Sequence, residues 1–162
     1  MAVEFVPETG AGLATATSYV TIAEFKQYWE NRGVSFTALD PVIQTWLNIG
    51  TDYIDNYYKF WGVPTLPETQ ALQFPRIGLR DSKNIIIDSD VIPTELKNAL
   101  CVMAREAKTT LDLSSKVDTG IASKSIGPVS VTYRNSYKVD YKNATAYLKI
   151  FIKNGAGLQV VS

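Results

Sequence analysis

The sequence predicts a mainly α fold: about four helices, one β-hairpin or long loop, and extended N- and C-terminal arms. Three observations carry that expectation. Apolar residues recur at helical spacing in four separate windows, alternation appears once, and both ends lack either period. At 162 residues, with 46% apolar and 20% charged side chains, the chain can bury one core and is too apolar for wholesale disorder.

The first 18 residues, with Pro7, Gly10 and Gly12 among several Thr and Ala, read as an extended arm. Thr21 and Glu24 then form an S/T-x-x-E capping box, in which each side chain satisfies a free backbone N–H of the first helical turn. Ile22, Phe25 and Trp29 follow at helical spacing, and Gly33 stands where a left-handed cap would end a helix over roughly 22–31. A second helix starts at Asp40-Pro41, read as an N-cap acid followed by proline at the first helical position. Its apolar stripe runs Ile43, Trp46, Leu47, Ile54, Tyr57. Gly50 lies on the same face and costs about 1 kcal/mol of helix propensity relative to Ala, which marks it as a point where another backbone crosses closely.

Residues 59–93 are punctuated by Pro64, Pro67, Pro75 and Pro93 and read as irregular, with a helical turn around 68–73. Ile85-Ile86-Ile87, bracketed by Asp81, Asp88 and Asp90, is short enough to be a strand or a buried loop segment, and its lack of alternation leaves both open. From Pro93 to about Leu113, the residues Leu96, Leu100, Met103, Ala104, Ala107 and Leu111 keep the rhythm of the central helix, with Cys101 beside them as a small buried thiol. After a polar linker at 114–123, Ile126, Val129, Val131 and Tyr133 predict a strand beginning near Gly127-Pro128, with 137–141 as its partner. A last helix is expected from Ala144 to Lys153, ending at Asn154-Gly155. The expected organisation is therefore an arm at 1–18, a single helical domain at 19–155 with its hairpin near 124–141, and an extended tail at 156–162.

Composition restricts the chemistry. The chain has no histidine, so the commonest acid/base group and metal ligand is missing, and its one cysteine can form no internal disulfide. No nucleophile elbow or phosphate-cradling glycine loop is present. Asp52 and Asp55 share a helix face but read as solvated acids, and Asp88 and Asp90 lack the spacing of a calcium loop. No catalytic residue, metal site or cofactor is expected. No apolar run approaches the roughly 20 residues of a membrane span, and no basic-then-apolar leader opens the chain. Neither membrane insertion nor export is therefore expected.

Two features bear on partners. Charge is neutral in total but divided: residues 1–81 hold nine acids and five bases, a net of −4, and residues 82–162 hold seven acids and eleven bases, a net of +4. One face could meet a polyanion, although a mixed solvated surface explains the same numbers. Tyr53, Tyr57, Tyr58, Phe60 and Trp61 crowd together beside Lys59, a combination that can stack single-stranded bases. The competing reading places them in the core, and the shortage of nearby positive charge favours it.

Four segments, taken in order, point to a family: Ser18-Tyr19-Val20-Thr21, Thr51-Asp52-Tyr53-Ile54-Asp55, Thr69-Gln70-Ala71-Leu72-Gln73-Phe74-Pro75-Arg76, and Ser125-Ile126-Gly127-Pro128-Val129-Ser130-Val131-Thr132-Tyr133. With Ile92-Pro93 before the long helix, they resemble the head-to-tail adaptor (connector) proteins of tailed bacteriophages, some relatives of which carry the label DnaT-like single-stranded-DNA-binding protein. The resemblance implies a small helical bundle and a non-enzymatic structural protein of the virion, assembled in the host cytoplasm. It would form a homo-oligomeric ring, commonly of twelve copies, under the portal protein ring. There it would extend the DNA channel and offer a platform to a downstream stopper, nozzle or tail tube, with only transient contact to genomic DNA. On that reading Leu158, Val160 and Val161 would dock on the portal. Ile126, Val129, Val131 and Tyr133 would pair with an adjacent subunit, and Lys138, Lys142 and Lys149 would face the channel. The alternative is a DnaT-like protein that binds single-stranded DNA in replication.

Overall fold

The Thr21–Glu24 capping box forms as the sequence requires: Glu24 N–H donates to Thr21 Oγ1 (3.1 Å) and Thr21 N–H to Glu24 Oε2 (2.8 Å). It opens α1 (Ile22–Glu30) in a computed structural model that describes residue 2, residues 4–109, strand residues 117–118, 123–126, 129–132 and 137–138, and residues 141–153. Gly33, at φ +74°, ends that turn while Val34 N–H reaches back to the Trp29 carbonyl (2.9 Å). Helix α2 (Asp40–Tyr57) follows. Its N-cap is Leu39 and no side chain caps it, because Asp40, the first helical residue, accepts from Lys26 Nζ (2.9 Å) instead.

Helix α3 (Thr94–Thr109) is the central element. Leu96, Leu100, Met103, Ala104 and Ala107 are buried against Ile43, Leu47 and Ile54 of α2. The helices cross at Gly50, where a Cβ would stand 2.8 Å from Leu100 Cδ1, 3.2 Å from Ala104 N and 3.3 Å from Met103 Cβ. The crossing inferred from sequence is where the structure has it. Phe25 and Trp29 of α1 seal one end of this core. Ala144 and Leu148 of the short last helix, together with Phe151, join the same core from α4, which packs on α3 and reaches α1 through the Tyr28–Tyr147 hydroxyl contact. Each buried Leu or Met contributes roughly 1.5–3 kcal/mol, so the α2–α3 seam dominates cohesion.

Helix α4 (Lys142–Leu148) stops one turn earlier than its periodicity indicates. Phe151 and Ile152 leave the helix to make backbone contacts, Phe151 C=O accepting from Trp61 N–H (2.8 Å) and Ile152 bridging Phe60. Between α2 and α3 the only regular pairing is the antiparallel ladder of β1 (Val63–Pro64) and β2 (Arg76–Ile77). The expected helical turn lies at 66–70, where the Thr69 and Gln70 N–H groups both donate to Leu66 C=O. Ile85 and Ile86 are exposed and Ile87 half-buried, so the triplet is neither a full strand nor a buried loop. Only Ile86 bridges, to Arg80.

The N-terminal segment is not an extended arm. Thr17 N–H donates to Val6 C=O (2.8 Å) and Glu8 N–H to Ser18 C=O (2.7 Å). The buried Glu8 carboxylate accepts the N–H groups of Gly10, Gly12 and Leu13. A local carboxylate thus closes a Pro/Gly loop that has no hydrophobic period to reveal it. The hairpin also differs in register. β4 (Ser123–Ile126) pairs with β5 (Val129–Thr132), Ser123 opposite Thr132 and Ile126 opposite Val129. Outside it, β3 (Val117–Asp118) pairs with β6 (Tyr137–Lys138). The expected strand from Ile126 is therefore divided between β4 and β5, which pair with each other, and Tyr137–Lys138 pairs with β3 instead. The tail at 156–162 lies outside the described residues.

Candidate nucleic-acid interface

Three of the four segments that carry the resemblance meet at one buried joint. The Asp55 carboxylate accepts from Tyr19 Oη (2.6 Å) and from Gln73 N–H (3.0 Å), and Phe74 N–H donates to Tyr19 Oη (3.3 Å). Burial lifts the Asp55 carboxyl to about 6, helped by the charge of Asp52 and opposed by both hydrogen bonds and by Arg76. Burial also raises the Tyr19 phenol well above its ordinary range, so it stays protonated and donates. Asp52 and Asp55 therefore do feel each other, but Asp52 is exposed while Asp55 is fully engaged in holding the chain together. Asp55 is a structural tie, and the exposed Asp52 carboxylate takes no part in it.

Arg76, only 6% exposed, extends the joint. Its Nε donates to Trp61 C=O (2.8 Å), Nη1 to Gln73 C=O (3.0 Å) and Gln73 Oε1 (2.9 Å), and Nη2 to Gly62 C=O (2.9 Å) and Phe60 C=O (3.4 Å). One guanidinium thus gathers the carbonyls of residues 60–62, a turn that lacks the ladder partners of regular structure. Gly62 completes the turn at φ +69°, where a Cβ would fall 2.2 Å from the Ile77 carbonyl oxygen.

What this clamp presents is Trp61. Of the aromatic cluster seen in the sequence, Tyr53, Tyr58 and Phe60 are buried. Tyr57 is half-buried and stacked on Tyr53, with ring centroids 4.9 Å apart at 16°. The packing interpretation therefore holds for four of the five rings. Trp61 is 52% exposed and is the only exposed aromatic side chain among the described residues. Lys153 Nζ stands 5.7 Å from its ring centroid. Exposed Lys59 joins the same edge, because Lys153 N–H donates to Lys59 C=O (2.6 Å). Beyond the turn, the cross-strand pair Val63 and Ile77 is 58% and 49% exposed. The result is an open aromatic-aliphatic face edged by two lysines.

The other sequence candidates are not gathered into one place. Leu158, Val160, Val161 and Tyr133 lie outside the described residues. Ile126, Val129 and Val131 sit on the β4–β5 ladder, where Val131 faces Lys124 in register. Lys138 is on β6, while Lys142 and Lys149 are exposed at opposite ends of α4. Asp88 and Asp90 are exposed, and no group of three or more metal-ligating side chains occurs among the described residues. Cys101 is buried, which pushes its thiol up to about 12 and leaves it inert. Among the described residues no helix is long and apolar enough to cross a membrane. Sequence reasoning missed the Arg76 clamp. A lone arginine after Phe-Pro carries no periodic signal, and the irregular, proline-punctuated stretch over 59–93 did not single it out.

A family model described as "Putative DnaT-like ssDNA binding protein" matches residues 3–161. No curated protein and no solved structure matches the chain.

Proposed function

The chain belongs to this DnaT-like ssDNA-binding family, and from that premise we propose that it is a non-catalytic protein that holds single-stranded DNA against the Trp61 face. The observation that carries the reading is the exposure of Trp61 on a turn fixed by Arg76, with Lys59 and Lys153 at its edge. A fixed exposed ring accepts any base by stacking, and flanking ammonium groups meet the phosphates on either side. Strand binding should then weaken as salt rises. Titrating the full chain with a dT oligomer tests this. Trp61→Ala should weaken binding by about 1–3 kcal/mol without changing thermal stability. Binding that is insensitive to both salt and Trp61→Ala would refute the assignment.

A second reading, a head-to-tail connector subunit, is favoured by the nested ladders between residues 117 and 138. Among the described residues their strands contact one another and no other element. A two-stranded ribbon is marginal alone, and a neighbouring subunit would supply the missing support. Here the protein would be a virion component in a ring of copies between portal and tail, with the tail segment Leu158–Val161 docking on the portal. Co-sedimentation with the cognate portal ring separates the two readings: stoichiometric capture of many copies supports the connector, and a chain left free of the portal counts against it.

A further inference from the structure

A second charged cleft lies between α1, α3 and α4, built from residues that the Trp61 face does not use. The chain leaving α1 turns Arg32 back over Tyr28, its guanidinium carbon 3.6 Å from the ring centroid and Nη1 donating to the Tyr28 carbonyl (2.7 Å). From α3, Arg105 lays its guanidinium 4.5 Å from the ring centroid of Trp29. The Trp29 ring is itself fixed, because Nε1 donates to Cys101 C=O (3.1 Å). From α4, Tyr147 brings its hydroxyl to 3.2 Å from that of Tyr28, and Asn143 stands on the same wall. The cleft is an open groove of about 480 Å³, within the size range of small-ligand sites.

Two arginines line this cleft from different elements. Among the described residues the salt bridges are Lys26–Asp40 and Lys97–Glu24, so neither Arg32 nor Arg105 is neutralised by a carboxylate. Two like charges lining one opening repel, and an anion between them removes that repulsion. A guanidinium held over a ring still offers N–H donors at its edge, the donor set that grips a phosphate through paired hydrogen bonds. In the Tyr28–Tyr147 pair one hydroxyl donates to the other, which leaves the second O–H free to donate outward.

We propose that this cleft binds a phosphate ester, its oxygens held between the Arg32 and Arg105 forks with the tyrosine pair and the Asn143 amide as further donors. The ester could belong to a free nucleotide or to the backbone of a strand, and its recognition chemistry is the same. The site stands independently of the Trp61 reading, since it requires neither stacking nor a polymer.

The test uses the full chain, followed by the Trp29 indole N–H resonance and by calorimetry, with thymidine, dTMP and a dT oligomer lacking terminal phosphates. Saturable binding of dTMP but not thymidine is expected, with the Trp29 resonance shifting. Arg32→Gln and Arg105→Gln should each weaken dTMP by about tenfold at unchanged Tm, and Arg105→Lys should recover only part, because it restores charge without the fork. Displacement of dTMP by the oligomer assigns the ester to strand backbone, and failure to displace assigns it to a terminal or free phosphate. Equal response to thymidine and dTMP, no response to dTMP at millimolar concentration, or full-strength binding by the double variant would overturn the proposal. Oligomer binding that is lost in Trp61→Ala while dTMP binding survives, or the reverse, shows which of the two sites has failed.

Discussion

The segment between α2 and α3 divides into two stretches that both expose apolar side chains, Trp61, Val63, Leu66 and Ile77 in the first and Ile85, Ile86 and Val91 in the second, but are tied down differently. In residues 58–78 the polar groups are inside and tied: Arg76 holds four backbone carbonyls, and Asp55 holds the Gln73 amide and the Tyr19 hydroxyl. In residues 79–91 the apolar groups are outside: Ile85, Ile86 and Val91 are 60%, 63% and 43% exposed. The first stretch is built by buried side-chain hydrogen bonds, the second by backbone turns and exposed side-chain bonds: Asp81 accepts from the N–H groups of Lys83 and Ile85, Arg80 donates to Asn84 C=O and Thr65 Oγ1 to Ser89 C=O. An irregular segment is rigid when a buried polar side chain supplies the missing backbone partners, and composition alone does not reveal which segment has one.

Removing the clamp should have the largest effect. Arg76→Ala leaves the carbonyls of Phe60, Trp61, Gly62 and Gln73 short of a donor, and each buried unpaired group costs about 1–3 kcal/mol. A loss of about 3 kcal/mol or more is expected in urea unfolding. A loss below about 1 kcal/mol would show that the two stretches are held alike and erase the contrast. Gly50→Ala comes next. Alanine gains about 1 kcal/mol of helix propensity, yet its methyl would press on Leu100 and on the Ala104 backbone, and overpacking of that kind typically costs about 1–3 kcal/mol. The expected net is destabilisation, read by thermal melting, and a stabilised variant would mean that α3 can retreat from the crossing.

Asp55 sharpens the comparison through pH. Its folded carboxyl titrates at about 6, above the usual 3.8, so between those values the native state binds more protons than the unfolded chain. Stability therefore falls as pH rises through that window. Acidifying from pH 7 to pH 5 should add about 1 kcal/mol from this group. Glu24 opposes this: Lys97 and the Thr21 cap hold its carboxyl below the ordinary range, against its partial burial, so its contribution is lost at lower pH still. Asp55→Asn, which keeps one acceptor and abolishes titration, should remove the pH 5–7 slope. A slope unchanged in the variant would place its origin elsewhere.

The helices were legible because their signals are periodic or local: the Thr21–Glu24 box, the α2 and α3 stripes, and Gly50 as a glycine on the packed face of α2. Elements set by single long-range hydrogen bonds were not. Glu8 converts an apparent arm into a closed loop, and the pull of Phe60 on Ile152 ends α4 early. For the candidate site, the sequence supplied the right aromatic cluster and the right suspicion that most of it is core. It could not single out Trp61, because the exposure of that ring depends on Arg76, fifteen residues downstream.

The smallest effect is expected where the apolar side chains stand outside. Ile85→Ser with Ile86→Ser removes two exposed isoleucines from a turn whose backbone bonds, Asp81 N–H to Ile85 C=O and Ile87 N–H to Leu79 C=O, do not involve their side chains. Stability should change by no more than about 0.5 kcal/mol, measured in the same urea titration as Arg76→Ala. Isoleucines this exposed contribute little by burial, and the pair is an apolar patch open to an assembly contact. The double variant therefore has a second readout. In the connector reading it should lower capture by the portal or self-association while leaving strand binding at Trp61 intact, and in the strand-binding reading neither should move. A loss of several kcal/mol in the free chain would mean instead that the 79–91 stretch is as firmly built as the clamp, and the division between the two would fail.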